Sequence, residues 1–183
     1  MKHALWIGAV AVALTASNAS AALLVLGGAA SKSCYEAATA EADNAADVHT
    51  CTTALLEEPL DQRDRAATLI NRGIIYMHRS DAASALADFD AAIRLQPSLA
   101  EGHANRAAAL LEQRDYRAAL DAVALSLTLN PIDPAKAYYS SGVAHEELGE
   151  ISAAYRDYRR AAELAPDWQP AQRELERFHV ASR

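Results

Sequence analysis

The sequence predicts an all-α protein, a solenoid of stacked helix–turn–helix hairpins closed by a C-terminal helix. Three observations predict it. Alanine makes up about a quarter of the 183 residues while aromatics supply only 6%, and Ala is the best helix former but a poor strand former. Three prolines, Pro97, Pro131 and Pro166, punctuate the chain at near-constant spacing. Small and bulky residues recur in a fixed register behind each proline. The net charge of −7 argues against a nucleic-acid-binding module, which needs a basic face.

The first acidic residue is Glu36, so the opening segment differs in character from the rest. Lys2 and His3 give a short positive start, residues 4–14 are apolar, and Ala19-Ser20-Ala21 supplies the small-x-small pattern a signal peptidase needs. A removed signal peptide over residues 1–21 is expected. A second apolar run at 22–26 follows at once, so residues 4–30 read as one piece could instead span a bilayer as an uncleaved anchor. The polar break at 15–20 and the cleavage-like triplet favour the signal. Either way the remainder is expected in the periplasm, free or anchored facing it. In an oxidising compartment the even pair Cys34 and Cys51 is expected to form a disulfide. It would close a loop of about 17 residues, worth about 3 kcal/mol in the loop-entropy model. Neither cysteine belongs to a C-x-x-C pair, which gives no support to zinc or redox chemistry.

The register behind the prolines defines the hairpins. Ala92, Ser126 and Ala161 precede the three prolines at one fixed offset, Ala85, Ala119 and Ala154 at a second, and Gly73, Ala107 and Gly142 at a third. Bulky Phe89, Val123 and Tyr158 share a fourth. Two antiparallel helices approach closely only where their contact residues are small, and the bulky residues fill the space beside them. The proline ends the second helix because it cannot continue it. One hairpin cannot bury its apolar face alone, so at least three must stack. Helix pairs are expected near 66–78 with 81–95, 100–113 with 116–129, and 135–148 with 151–164. Asp81, Asp115 and Glu150 fall near second-helix starts, where a negative side chain suits the helix dipole.

These residues resemble the tetratricopeptide repeat, a helical hairpin of roughly 34 residues with the pattern W-x2-L-G-x2-Y, A-x3-F, P. The first repeat reads Leu69-x2-Arg72-Gly73-x2-Tyr76, Ala85-x3-Phe89 and Pro97. The third reads Tyr138-x2-Ser141-Gly142-x2-His145, Ala154-x3-Tyr158 and Pro166. The middle repeat departs at its start, with His103 and Leu110 in aromatic slots. The resemblance implies a right-handed α-solenoid with repeats at 66–99, 100–133 and 135–168, and one extra residue in the turn Ile132-Asp133-Pro134. Residues 169–183 are expected to form a capping helix, with Trp168 and Phe178 covering the third repeat and Arg173, Glu174, Glu176 and Arg177 in water. Residues 33–61 are expected to form a degenerate hairpin in which the Cys34–Cys51 bridge replaces aromatic packing, Cys51 occupying the bulky slot.

Catalytic patterns fail one by one. His145-Glu146-Glu147-Leu148-Gly149 starts like H-E-x-x-H but has Gly where the second zinc ligand belongs. No G-x-S-x-G, P-loop or dinucleotide-binding turn occurs. His103 and His145 fill aromatic slots of the repeat, His49 and His78 read as exposed helix ends, and the Arg156, Arg159, Arg160 stripe reads as a solvated face. No enzyme activity, metal or cofactor is expected.

What the resemblance implies instead is binding of a protein or peptide in the concave groove lined by first helices. The matching residues are Ile70, Ile74 and Met77 in the first repeat, and Glu101, Ala104, Asn105, Ala108, Leu111 and Glu112 in the second. Lys136, Tyr139, Val143 and Glu146 match in the third. A carboxylate-clamp groove uses Lys, Asn and Arg; only Asn105 and Lys136 match it, while Ile70, Ile74 and Ser140 depart, so a C-terminal carboxylate is not the expected ligand. An apolar floor with an acidic rim suits an amphipathic partner carrying some Lys or Arg. Alternatively Ile70, Ile74 and Met77 pack against the N-terminal hairpin. The expected function is a non-catalytic periplasmic or envelope adaptor; the alternative is a self-assembly module that forms homo-oligomers.

Overall fold

The computed structural model describes residues 21–181, with side chains described as far as Phe178. The signal-peptide reading of residues 1–21 lies outside the described residues except for Ala21. Among them the secondary structure is wholly helical: α1 Ala29–Thr39, α2 Ala45–Glu57, α3 Gln62–His78, α4 Ala82–Leu95, α5 Ala100–Glu112, α6 Tyr116–Thr128, α7 Pro134–Glu147, α8 Ile151–Leu164 and α9 Gln169–Ala181. Each helix packs on the next in chain order. The odd-numbered helices α1, α3, α5 and α7 also touch one another in succession. They form the inner layer of a curved stack, with α2, α4, α6 and α8 outside.

The small and bulky slots interlock inside each hairpin. A Cβ placed on Gly73 would lie 2.4 Å from the Phe89 ring, and one on Gly142 would lie 2.7 Å from the Tyr158 ring. The middle hairpin solves the same problem with the smaller pair Ala107 and Val123, both buried. Glycine therefore stands opposite each aromatic ring and alanine opposite valine, so total volume at the contact is kept while its division changes. Polar contacts reinforce the same pairs of helices. Arg72 of α3 forks onto Asp88 of α4 through two hydrogen bonds of 2.7 Å, and Ser141 of α7 donates to Asp157 of α8 at the same place two repeats later.

The turn between first and second helices is built alike in each repeat. Ser80, Arg114 and Gly149 adopt the left-handed conformation there, a conformation that costs a non-glycine residue about 1–2 kcal/mol. Asp81 and Asp115 follow as N-caps, accepting from the amides of Ser84 and Ala118, which satisfies donors that the first helical turn cannot. Glu150 stands at the same place in the third repeat but makes no capping bond. Its carboxylate is taken by the His145 ring instead.

The N-terminal hairpin is joined by a Cys34–Cys51 disulfide whose two sulfurs and side chains are fully buried. The helix α1 begins at Ala29, ahead of the expected start at 33. Its N-terminus is capped by a carboxylate from the far end of the hairpin: Glu58, just past α2, accepts from the amides of Gly28, Ala30 and Ser31. The anchor alternative, a span reaching residue 30, does not hold over its last part. Residues 21–28 are not helical, and Leu23 and Val25 are buried in the protein's own core. No helix among the described residues is long and apolar enough to cross a membrane.

At the other end α9 packs on α8. The Trp168 ring lies edge-on to Tyr139 at 5.0 Å, and the Phe178 ring meets those of Tyr155 and Tyr158. Of the residues expected in water, Arg173, Glu176 and Arg177 are exposed, Arg177 while pairing with Glu146 and Glu174, and only Glu174 is half-buried.

Candidate functional site

The inner face of α3, α5 and α7 forms the groove, and its first half is occupied by the chain itself. Residues 21–26 run across it before turning into α1. Burial alternates along them: Leu23 is 7% exposed, Leu24 55%, Val25 4% and Leu26 79%. That period of two is the signature of extended backbone. Leu23 and Val25 join one core cluster with Ile70, Ile74 and Met77 of α3, and with Cys34 and Ala38 of α1.

Two asparagines hold the main chain of this segment. Asn71 of α3 accepts from the Leu23 amide at 2.8 Å and donates to the Leu23 carbonyl at 2.7 Å. Asn105 of α5 does the same for Ala21, accepting at 3.2 Å and donating at 3.3 Å. A side-chain amide matches both polar groups of one extended residue, because that residue's own N–H and C=O point to the same edge, and the residue two further on shares that edge. Both asparagines are fully buried, so the segment leaves their polar atoms satisfied where water cannot reach them. Residues 21 to 25 thus read backwards along the array, from the second repeat to the first and then to α1.

Of the two readings of the groove floor, the structure has the one in which Ile70, Ile74 and Met77 pack against the N-terminal part of the chain. Ile70 and Ile74 are at most 1% exposed and Met77 4%, so they form the seat of the N-terminal segment and α1 rather than an open surface. Asn71 was missed, although it stands one repeat before Asn105 in the same register. That register was the signal that could have found it. Ser140 occupies the place in the third repeat.

The acidic rim is also different. Glu101 is buried and accepts from the Ile132 amide at 2.9 Å, fixing the longer turn before α7. Glu146 accepts from Arg177 and from the Tyr158 hydroxyl. Only Glu112, exposed at the end of α5, is left of the three acids expected there. Tyr139 is not a free groove residue either, since its ring sits between those of Tyr158 and Trp168. Burial, with the nearby Glu174 charge, pushes its hydroxyl up to about 12. Burial beside Glu146 pushes the Tyr158 hydroxyl upward as well. Both phenols stay protonated at neutral pH. Val143 is buried against this cluster, and the Lys136 ammonium lies 3.5 Å from Asp133.

What the groove still presents is its second half, where Ala104, Ala108 and Leu111 are half-buried and Glu112 is exposed. Beside it a cavity of about 330 Å³ opens between Ala21 and Ala22, Tyr35 and Ala38 of α1, His78, and Ile132, Asp133 and Lys136 of the α7 approach. His78 is half-buried here, not an exposed end, and lies 3.3 Å from the Ala42 carbonyl.

Ser141, His145 and Asp157 do come together, but not as a nucleophile and its base. Ser141 donates its hydroxyl to Asp157, and His145 points one ring nitrogen at Glu150. His103 caps a backbone carbonyl, that of Pro97, at 2.9 Å. Among the described residues no group of three His, Cys, Asp or Glu side chains is placed to hold a metal ion.

Comparison with known proteins places this geometry. A tetratricopeptide-repeat family model matches residues 135–167, the third hairpin. No curated protein matches the chain in sequence. Among solved structures, the first TPR domain of human RPAP3 is 27% identical, covers 63% of this chain and 91% of its own, and superposes with a TM-score of 0.59. The first TPR of Spaghetti (RPAP3), bound to the HSP90 peptide SRMEEVD, is 26% identical, with 65% and 94% covered and a TM-score of 0.60. The fragment of MamA from residue 41 onward, from Desulfovibrio magneticus RS-1, shares the fold at 20% identity, with 85% and 86% covered and a TM-score of 0.65.

Proposed function

Given that this chain is a tetratricopeptide-repeat protein with an all-α solenoid fold, we propose that it is a non-catalytic adaptor whose concave groove binds an extended segment of another protein. The observation that carries this reading is the seating of residues 21–25 on Asn71 and Asn105. The groove already recognises extended main chain through paired side-chain amides and takes alternate apolar side chains into its floor. The peptide held by the Spaghetti TPR supports the same use of the fold. That peptide's acidic end is not a guide to this ligand, because Ile70, Ile74 and Ser140 stand at three of the carboxylate-clamp positions. A basic partner, the finer expectation from the sequence, now rests on Glu112 alone.

The location proposed is the periplasm, reached through the leader; the buried Cys34–Cys51 bridge fits an oxidising compartment. N-terminal sequencing of the protein recovered from cells tests the leader, with Ala22 as the expected first residue and an intact Met1 as the contrary result.

The groove itself is tested in its second half. Ala108→Glu puts a charge on the half-buried floor between Leu111 and Ala104 without touching the packing of Tyr139 or Val143. Partners recovered by crosslinking in an envelope extract should fall at least about tenfold, the loss expected from burying one unpaired charge at an interface. Undiminished recovery by a folded variant would place the binding elsewhere.

A further inference from the structure

We propose that residues 21–25 are a built-in occupant of the groove, an internal ligand that a partner's extended segment of small-x-apolar-x-apolar pattern must displace. This rests on the reading of the groove as a binding site and adds what it selects and how it is held closed. The selected pattern follows from the seats. Ala21 is gripped through its main chain by Asn105, where a half-buried small residue fits. Leu23 is gripped by Asn71 and buried, Val25 is buried against α1, and Leu24 and Leu26 face solvent. Direction is set as well, since residue 21 lies at the second repeat and residue 25 at α1.

The occupant is held lightly in contacts and strongly by its tether. Four main-chain hydrogen bonds and two buried side chains hold it, while Gly27 and Gly28 join it directly to α1. So short a tether gives a local concentration of about millimolar, which a free competitor has to exceed in effect. The same geometry makes occupancy adjustable by processing. The proposed removal of residues 1–21 takes away the Asn105 rung and leaves Leu23 and Val25 in place, so the mature chain frees one of the two asparagines for a partner.

The test uses the full chain and a fluorescein-labelled synthetic peptide of residues 20–26. Leu23→Asp with Val25→Asp expels the internal segment without altering α3 or α5. Peptide affinity should rise at least about tenfold over wild type, because the tethered competitor is gone. Adding Asn71→Ala should remove that gain. Leu23→Ala, which keeps the segment apolar, covers the case in which the charged variant does not fold; it must also exceed wild type, by a smaller factor. Equal binding to wild type and variant would overturn the internal ligand while leaving groove recognition standing. Binding to neither, or a gain that survives Asn71→Ala, would also overturn it, and the Ala108→Glu experiment would still decide the function separately.

Discussion

Gly73 shows how far a single position is determined by its neighbour. Its missing Cβ is what lets the Phe89 ring lie against the α3 backbone, at a distance no side chain could share. Gly73→Ala should therefore destabilise the protein by about 1–3 kcal/mol, the usual cost of overpacking, measured by denaturant unfolding. Combining it with Phe89→Val reproduces the Ala107–Val123 pair of the middle repeat and should recover a large part of that loss. If the two substitutions simply add, the volume exchange between slots is not what sets these residues. The pairing was legible from register alone, since both slots recur at fixed offsets from the prolines. Asn71 is legible only by carrying the register of Asn105 back one repeat, because its own neighbours Ile70 and Ile74 mark an apolar floor and not a polar rung. Glu101 and Glu146 were misplaced on the rim for a different reason. Their partners, Ile132 and Arg177, come from a turn and a helix that only the tertiary fold brings near.

Whole helices were readable wherever a cap or a stop is local. Asp81 and Asp115 announce α4 and α6, and the prolines end the second helices. The start of α1 was less readable because its capping group is distant. Glu58 reaches back to three amides at the end of α1. Burial alone would raise its carboxyl, but hydrogen bonds from the Ser31 side chain and from the Ala30, Ser31 and Gly28 amides outweigh it and hold it below the ordinary range. A folded carboxyl lower than the unfolded one contributes stability above the unfolded value, and that stability is lost as pH falls through the folded value. The expected outcome is that wild type loses stability on acidification below about pH 4.5, and that Glu58→Gln is less stable near neutrality but loses less on acidification. Parallel urea unfolding curves between neutrality and acid check this; identical pH slopes for the two proteins would remove Glu58 from the cap.

At the scale of the molecule, the fold was open to sequence reasoning and the state of the groove was not. Residues 22–26 are apolar without interruption, so nothing in them marks Leu23 and Val25 as inward and Leu24 and Leu26 as outward. The same run also prolongs a leader-like segment, and its apolar residues suit a membrane and the floor of α3 equally well. Only the curvature of the array, which brings Asn71 and Asn105 to one edge of an extended chain, separates the two uses. The alternative of self-assembly meets the same seat, because a groove filled by its own segment has less apolar floor to offer a second copy. The most direct measurement is amide hydrogen exchange at Leu23 in the free chain. Seated on Asn71, that amide should exchange at least about a hundredfold more slowly than in an unfolded peptide and lose its protection in Asn71→Ala. Exchange at the unfolded rate in a chain whose helices remain protected would mean that the groove stands open and that residues 21–25 are not its ligand.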